Sequence, residues 1–168
     1  GLDYDIKLYK RDTSFIDVTQ KIGVQYLLKG SSYLKGFFHG RQSSLLSTKP
    51  YELSTVLPPF ADIQTNSYGI EGYFEKLDYR LNPRKGFTLL GSIAMGNREI
   101  KKNENLNPLV YSGLDLKSFQ VETQGVLSLF IPLFDKATVL LRDQFQWLNN
   151  GNIFQNELYR IGGIKTLR

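Results

Sequence analysis

Glu71 and Glu75 stand four residues apart in an alternating stretch, so both carboxyls project from one strand face. That placement suits a general acid working beside a general base. Histidine, the usual proton shuttle near neutral pH, occurs once, as His39. A lone histidine on a polar strand face reads as a lining residue before it reads as a catalyst. The chain has no cysteine, and no metal-ligand spacing, nucleophile elbow or phosphate-binding glycine loop occurs. The expectation is therefore a protein that is not an enzyme and uses no cofactor and no metal. Glu71 and Glu75 become polar lining of a strand, and the question passes to the elements that carry them.

Those elements are β-strands. Of 168 residues 41% are hydrophobic, and Tyr and Phe contribute 10 and 11 residues against one Trp and one Met. Aromatic enrichment of this kind suits pleated, half-buried surfaces. Period-two alternation predicts seven strands, over about 2–9, 14–28, 32–42, 66–80, 86–97, 115–133 and 137–148. In the first, Leu2, Tyr4, Ile6 and Leu8 oppose Asp3, Asp5 and Lys7. In the fourth, Tyr68, Ile70 and Phe74 oppose Glu71, Tyr73 and Glu75. The sixth sets Phe119, Val121 and Leu127 against Gln120, Glu122 and Gln124, and the seventh sets Leu141, Phe145 and Trp147 against Arg142, Gln144 and Gln146. Asp143 interrupts the last apolar row.

Long loops are expected over 43–65, where Pro50, Pro58 and Pro59 remove ladder donors, over 98–114 and over 149–168. The connections after the second, fourth and sixth strands are short, and Asn82-Pro-Arg-Lys-Gly86 is the clearest turn. Short turns at one end and longer loops at the other describe an outer-membrane barrel. A soluble sandwich also alternates, so the pattern alone leaves both open. No run of about 18 apolar residues occurs, which excludes a transmembrane helix and leaves a barrel untouched. The net charge of +5 is scattered along the chain, and nucleic acid is not an expected partner. The chain opens directly in a strand pattern with no basic-then-apolar leader, so no signal peptide is expected within it.

Three stretches add a resemblance. Asp78-Tyr-Arg-Leu-Asn-Pro-Arg-Lys-Gly86 resembles the D-x-x-x-N-P-x-x-G periplasmic turn of the Omp85 superfamily, with Asp78, Asn82, Pro83 and Gly86 at its marked positions. Glu157-Leu-Tyr-Arg-Ile-Gly-Gly-Ile-Lys-Thr-Leu-Arg168 is similar to that superfamily's F/Y-x-x-G-G-x-x-x-V/L-R-G-F/Y loop motif, stopping at the arginine. Arg11-Asp-Thr-Ser-Phe-Ile-Asp-Val-Thr-Gln20 carries a weaker likeness to BamA/TamA-type proteins of Bacteroidetes.

The resemblance implies an all-β fold, an antiparallel transmembrane β-barrel of which about seven strands, resembling strands 5–11 of a sixteen-strand barrel, lie in this chain. It implies a location in the bacterial outer membrane and a role in inserting and folding other β-barrel proteins. A polypeptide-secreting two-partner-type transporter and, outside the superfamily, a soluble β-sandwich or lipid-binding module remain alternatives. The implied partners are outer-membrane lipid, unfolded β-barrel clients, accessory assembly lipoproteins, and the rest of the protein's own barrel and POTRA domains. Glu71, Glu75, Glu122 and Arg142 would line the lumen. Aromatics such as Tyr4, Tyr26, Tyr68, Phe87, Phe119 and Trp147 would sit near strand ends as interfacial belts. Gly162 and Gly163 would let the loop tuck inward, and Arg168 would anchor it to an acidic residue of a later strand.

Overall fold

The computed structural model describes residues 1–11, 15–46, 58–134, 136–151 and 153–158. Seven strands follow one another as β1 (Leu2–Arg11), β2 (Phe15–Leu27), β3 (Tyr33–Leu45), β4 (Asp62–Leu77), β5 (Gly86–Lys101), β6 (Lys117–Phe134) and β7 (Ala137–Asn149). They form one antiparallel sheet in sequence order, with β1 and β7 as its two edges. The chain is all-β, the sheet is open, and the only helical element among the described residues is a 3₁₀ turn, Pro108–Tyr111. Asn107 caps that turn, its side-chain oxygen accepting from the Leu109 N–H at 3.0 Å.

All seven expected strands are present, with three shifted bounds that have a common cause. β3 continues to Leu45, β4 begins at Asp62 and β5 runs to Lys101, which takes residues from the predicted loops 43–65 and 98–114. The extension is held by Ser43 opposite Ile63, Ile63 opposite Ile100 and a 2.6 Å bond from the Leu45 N–H to Asp62 Oδ1. Its apolar members feed a small cluster of Ala61, Ile63, Ile100, Leu106, Val110, Tyr111 and Phe154 at the long-loop end. At the other end β4 stops at Leu77, short of the expected 80, because the Asp78 N–H bonds the Lys85 carbonyl and closes the turn. With β4 starting earlier, Tyr68 lies in mid-strand opposite Phe38 and Met95, not in a belt near a strand end.

The polarity of the sheet is inverted relative to a soluble sandwich. Leu2, Leu8, Val24, Tyr26, Tyr68, Ile70 and Phe119 are exposed, and Trp147 keeps 54% of its surface in solvent. Asp17, Lys35, Thr65, Ser67, Glu71, Arg98 and Gln120, from the opposite face, are buried. Strand-to-strand contacts run only between sequence neighbours, so no second layer covers either face among the described residues. Burial of long polar side chains such as Lys35 and Glu71 without a covering sheet means that the sheet curls toward its polar side, while Arg98 is covered by the segment that follows β7.

Gly86 closes the β4–β5 turn with φ +125°, and a Cβ there would stand 1.9 Å from the Lys76 carbonyl oxygen. Gly86→Ala is therefore expected to cost roughly 1–3 kcal/mol, read as a lower urea midpoint of the purified protein, whereas Gly30→Ala, which has a φ of +77° but nothing within 4 Å of the added Cβ, meets backbone strain without a clash and shifts it less.

Candidate functional site

Alternation places Asp3, Asp17, Lys21, Lys35, Arg41, Glu71 and Arg98 on the polar face, and burial forces them to find partners. Lys21 Nζ bonds Glu71 Oε2 at 2.8 Å while lying 4.0 Å above the Phe37 ring, and the Tyr33 hydroxyl donates to Glu71 Oε1 at 2.9 Å. Lys35 pairs with Asp3, and Arg41 Nη2 with Asp17 Oδ2 at 2.8 Å. The Lys35–Asp3 and Lys21–Glu71 pairs each skip a strand, and together the pairs lace β1 to β4 across the face. Glu75 accepts from the Tyr73 hydroxyl at 3.0 Å and from Arg80 Nε at 2.8 Å. Glu71 and Glu75 thus share a face as expected, but each is committed to its own cation and tyrosine.

Glu122 and His39 line a cavity of about 50 Å³ with Arg41, Thr65, Gln120 and Glu157. Arg142 sits on the exposed edge strand opposite Ser128. Of the four expected lining residues, Glu71 is buried, Glu75 and Glu122 are half-buried and Arg142 is open to solvent.

The densest part of the site is where the chain after β7 returns onto this face. Arg98, 1% exposed, meets Glu157, 6% exposed, in a two-point pair, Nε to Oε1 at 2.7 Å and Nη2 to Oε2 at 2.6 Å. The Phe154 N–H donates to Glu157 Oε2 at 3.0 Å, and the Arg98 guanidinium lies 5.6 Å from the centre of the Phe154 ring. Asn156 Nδ2 donates to Ser43 Oγ at 2.7 Å and to the Ala61 carbonyl at 2.8 Å, the Gln155 N–H bonds the Pro59 carbonyl at 2.9 Å, and Arg41 reaches the Asn156 carbonyl. Four consecutive residues, Phe154 to Glu157, are seated like a bound peptide.

Sequence reading expected an arginine on the loop and an acid on a strand. The described residues carry a different pair, with the arginine on β5 and the acid on the returning segment, and it does not bear on Arg168. Gly162, Gly163 and Arg168 lie outside the described residues. Alternation alone ends the fifth strand at about 97, which makes Arg98 the first residue of a polar loop and hides its role, whereas β5 runs on to Lys101. Continuing that strand's even-numbered row through Ser92 and Ala94 reaches it.

The β4–β5 turn is organised by Asp78. Its Oδ1 accepts from the N–H groups of Tyr79, Arg84 and Lys85 at 2.9, 3.0 and 3.0 Å. These bonds, that of Lys85 foremost, hold the carboxyl below its ordinary value. Arg84 Nη2 reaches the Phe134 carbonyl at 3.2 Å and ties the turn to the end of β6. Asn82, exposed, and Pro83, half-buried, form its tip, and Gly86 takes the positive φ that leads into β5.

No family model, curated protein or solved structure matches the chain, and its function is read from its own geometry.

Two outcomes follow from these contacts. Arg98→Ala or Glu157→Ala alone leaves the other charge buried and is expected to cost about 3–5 kcal/mol, while the double variant loses less than the two singles together; additive losses in urea unfolding would refute the coupling. Asp78 is ionised and bonded in the fold, so its contribution is present above the ordinary carboxyl value of 3.8 and lost as pH falls through its lower folded value. The stability gap between the parent and Asp78→Asn should be constant from about pH 7 to 5 and shrink below about pH 4, where a flat gap would deny the carboxylate its role.

Proposed function

We propose that the chain is a wall segment of an antiparallel transmembrane β-barrel in the bacterial outer membrane, and that the protein carrying it is an Omp85-type factor that inserts and folds other β-barrel proteins. The observation that carries the membrane half of this reading is the inverted polarity of the sheet. Exposed rows of Leu, Ile, Val and aromatic side chains are costly in water and favourable against lipid, and a buried, internally paired polar row is what a lumen wall requires. Strands of 10 to 18 residues meet the length that a tilted spanning strand needs. The unpaired edges β1 and β7 call for further strands of the same protein, since an open edge is not tolerated in hydrocarbon.

The assembly half rests on the resemblance carried by the Asp78 turn and by the stretch from Glu157 onward, and the seating of Phe154–Glu157 on the polar face supports it. In this reading Glu71, Glu122 and Arg142 face the lumen and Phe154–Glu157 seats the loop that enters it. The surrounding partners are lipid, client barrels, assembly lipoproteins and the protein's own remaining strands and POTRA domains. No residue is assigned a catalytic role. Client strands would be received by pairing at a barrel seam, which is β-augmentation within a bilayer, and this chain supplies the wall that holds such a seam in place.

Two measurements test the halves separately. Trp147, exposed on the apolar side of β7, is expected to be quenched when the protein is placed in vesicles of phosphatidylcholine with brominated acyl chains, and an unquenched, detergent-independent fold would end the membrane reading. Depletion of the protein in its host should lower the amount of folded outer-membrane barrels, and an unchanged outer-membrane composition would end the assembly reading.

A further inference from the structure

Most crowded glycines of the sheet are explained from within. A Cβ on Gly23 would strike Lys35 and Phe37, one on Gly69 would strike Phe37 and Ala94, and the place beside Gly125 is filled by the Phe145 ring. Gly36 and Gly91 are different, because nothing lies within 4 Å of where their side chains would stand. Glycine inside a strand weakens it, and marks a bulge, a sharp bend or a place where a ligand approaches the backbone closely. Both lie on the apolar face together with Gly72, which is paired directly with Gly91, while Gly36 is paired with Ile70. The three form the floor of an apolar groove of about 360 Å³ walled by Leu34, Ile70 and Ile93.

The groove crosses β3, β4 and β5, which are interior strands whose backbone groups are already paired on both sides. Strand addition from another polypeptide has no free ladder there. What remains is a flexible apolar chain with no hydrogen-bonding needs. Along the same face of β4, four residues beyond Gly72 and about 14 Å away at the usual rise, the exposed Lys76 stands at the short-turn end beside Phe87. An apolar slot with a cation at the membrane-surface end of the same row matches a lipid with an anionic phosphate.

We propose that the Gly36–Gly72–Gly91 groove seats one acyl chain of an anionic phospholipid from the leaflet on the short-turn side, and that Lys76 holds its phosphate. The proposal rests on the membrane reading given above. The glycines keep a slot open in the wall, Leu34, Ile70 and Ile93 contact the chain along its length, and Lys76 selects charged over zwitterionic headgroups.

The full-length protein extracted in mild detergent and exchanged into mixed phosphatidylglycerol and phosphatidylcholine micelles provides the test, with retained lipid counted by native mass spectrometry. The parent protein is expected to keep a phosphatidylglycerol molecule that Gly36→Leu/Gly91→Leu loses, while heat modifiability on gels is unchanged because both side chains enter open space. Lys76→Gln, an exposed substitution, should keep the lipid but lower the preference for phosphatidylglycerol about fivefold. Equal retention by the parent and the glycine variant overturns the groove, and an unchanged headgroup preference overturns the role of Lys76. A Gly91→Cys protein that forms a disulfide-linked dimer in membranes would show a second copy seated there, which also overturns the proposal. The membrane reading fails by a different sign, a parent protein that stays folded with no detergent and retains no lipid at all.

Discussion

A charged side chain withdrawn from water must be paired, and in this sheet the charged face is the withdrawn one. Lys21, Lys35, Arg41 and Arg98 each meet a carboxylate, and because the partners sit on other strands or on the returning segment, the need for pairing becomes a constraint on how the sheet curls. A flat sheet would hold the two pairs that skip a strand, Lys21–Glu71 and Lys35–Asp3, at roughly 10 Å between strands, where only fully extended side chains meet. Curling toward the polar face closes that gap and at the same time spreads the apolar face outward. The same constraint accounts for the seating of Phe154–Glu157. Arg98 is too far inside to be left to solvent, and Glu157 meets it with two oxygens while also closing the local turn through the Phe154 N–H.

Much of this was legible in the chain. Alternation over most of their length gave seven strands, and Asp78, Asn82, Pro83 and Gly86 marked the turn that the structure holds with three N–H bonds to one carboxylate oxygen. Parity also assigned Glu71, Glu75, Glu122 and Arg142 to one face. What alternation cannot say is which face is covered, since a sandwich and a barrel wall share the same period. It is also silent about contacts between remote residues. Arg98 and Glu157 are 59 positions apart, and no local signal links a strand-end arginine to a glutamate in a loop. The strand bounds erred where polar residues such as Asp62, Thr65 and Arg98 continue a ladder, because those residue types read as loop when the tertiary partner is unseen.

The two ends of the sheet are held by different physics. At the short-turn end the bonds are local: Asp78 to its own turn, Leu28 to Ser32, Arg84 to the next strand end. At the long-loop end an apolar cluster joins β4, β5, the 3₁₀ turn and Phe154, supported by Asn103 Nδ2 to Asp62 at 2.7 Å and by the Tyr111 hydroxyl accepting from the Asn103 N–H at 3.0 Å. Loops that would be expected to be open are folded there into a small core, and the returning segment is one of its components. The ionic latch and the apolar cap therefore reinforce each other, because Phe154 belongs to both.

This arrangement bears on how a barrel wall could form in stages. Every partner in the network, from Asp3 to Glu157, lies within these seven strands and the segment that follows them, so neutralising the polar face does not wait for the strands that would close a barrel. The curl that neutralisation demands is of the same sense as the curvature that closure needs. An open sheet with Lys21, Lys35, Arg41 and Arg98 already paired would then meet its remaining strands with its edges exposed, leaving backbone hydrogen bonding at β1 and β7 as a large unmet requirement. On the proposed barrel reading the Arg98–Glu157 pair would form before closure, and the loop base would enter the lumen as part of the wall on which it rests.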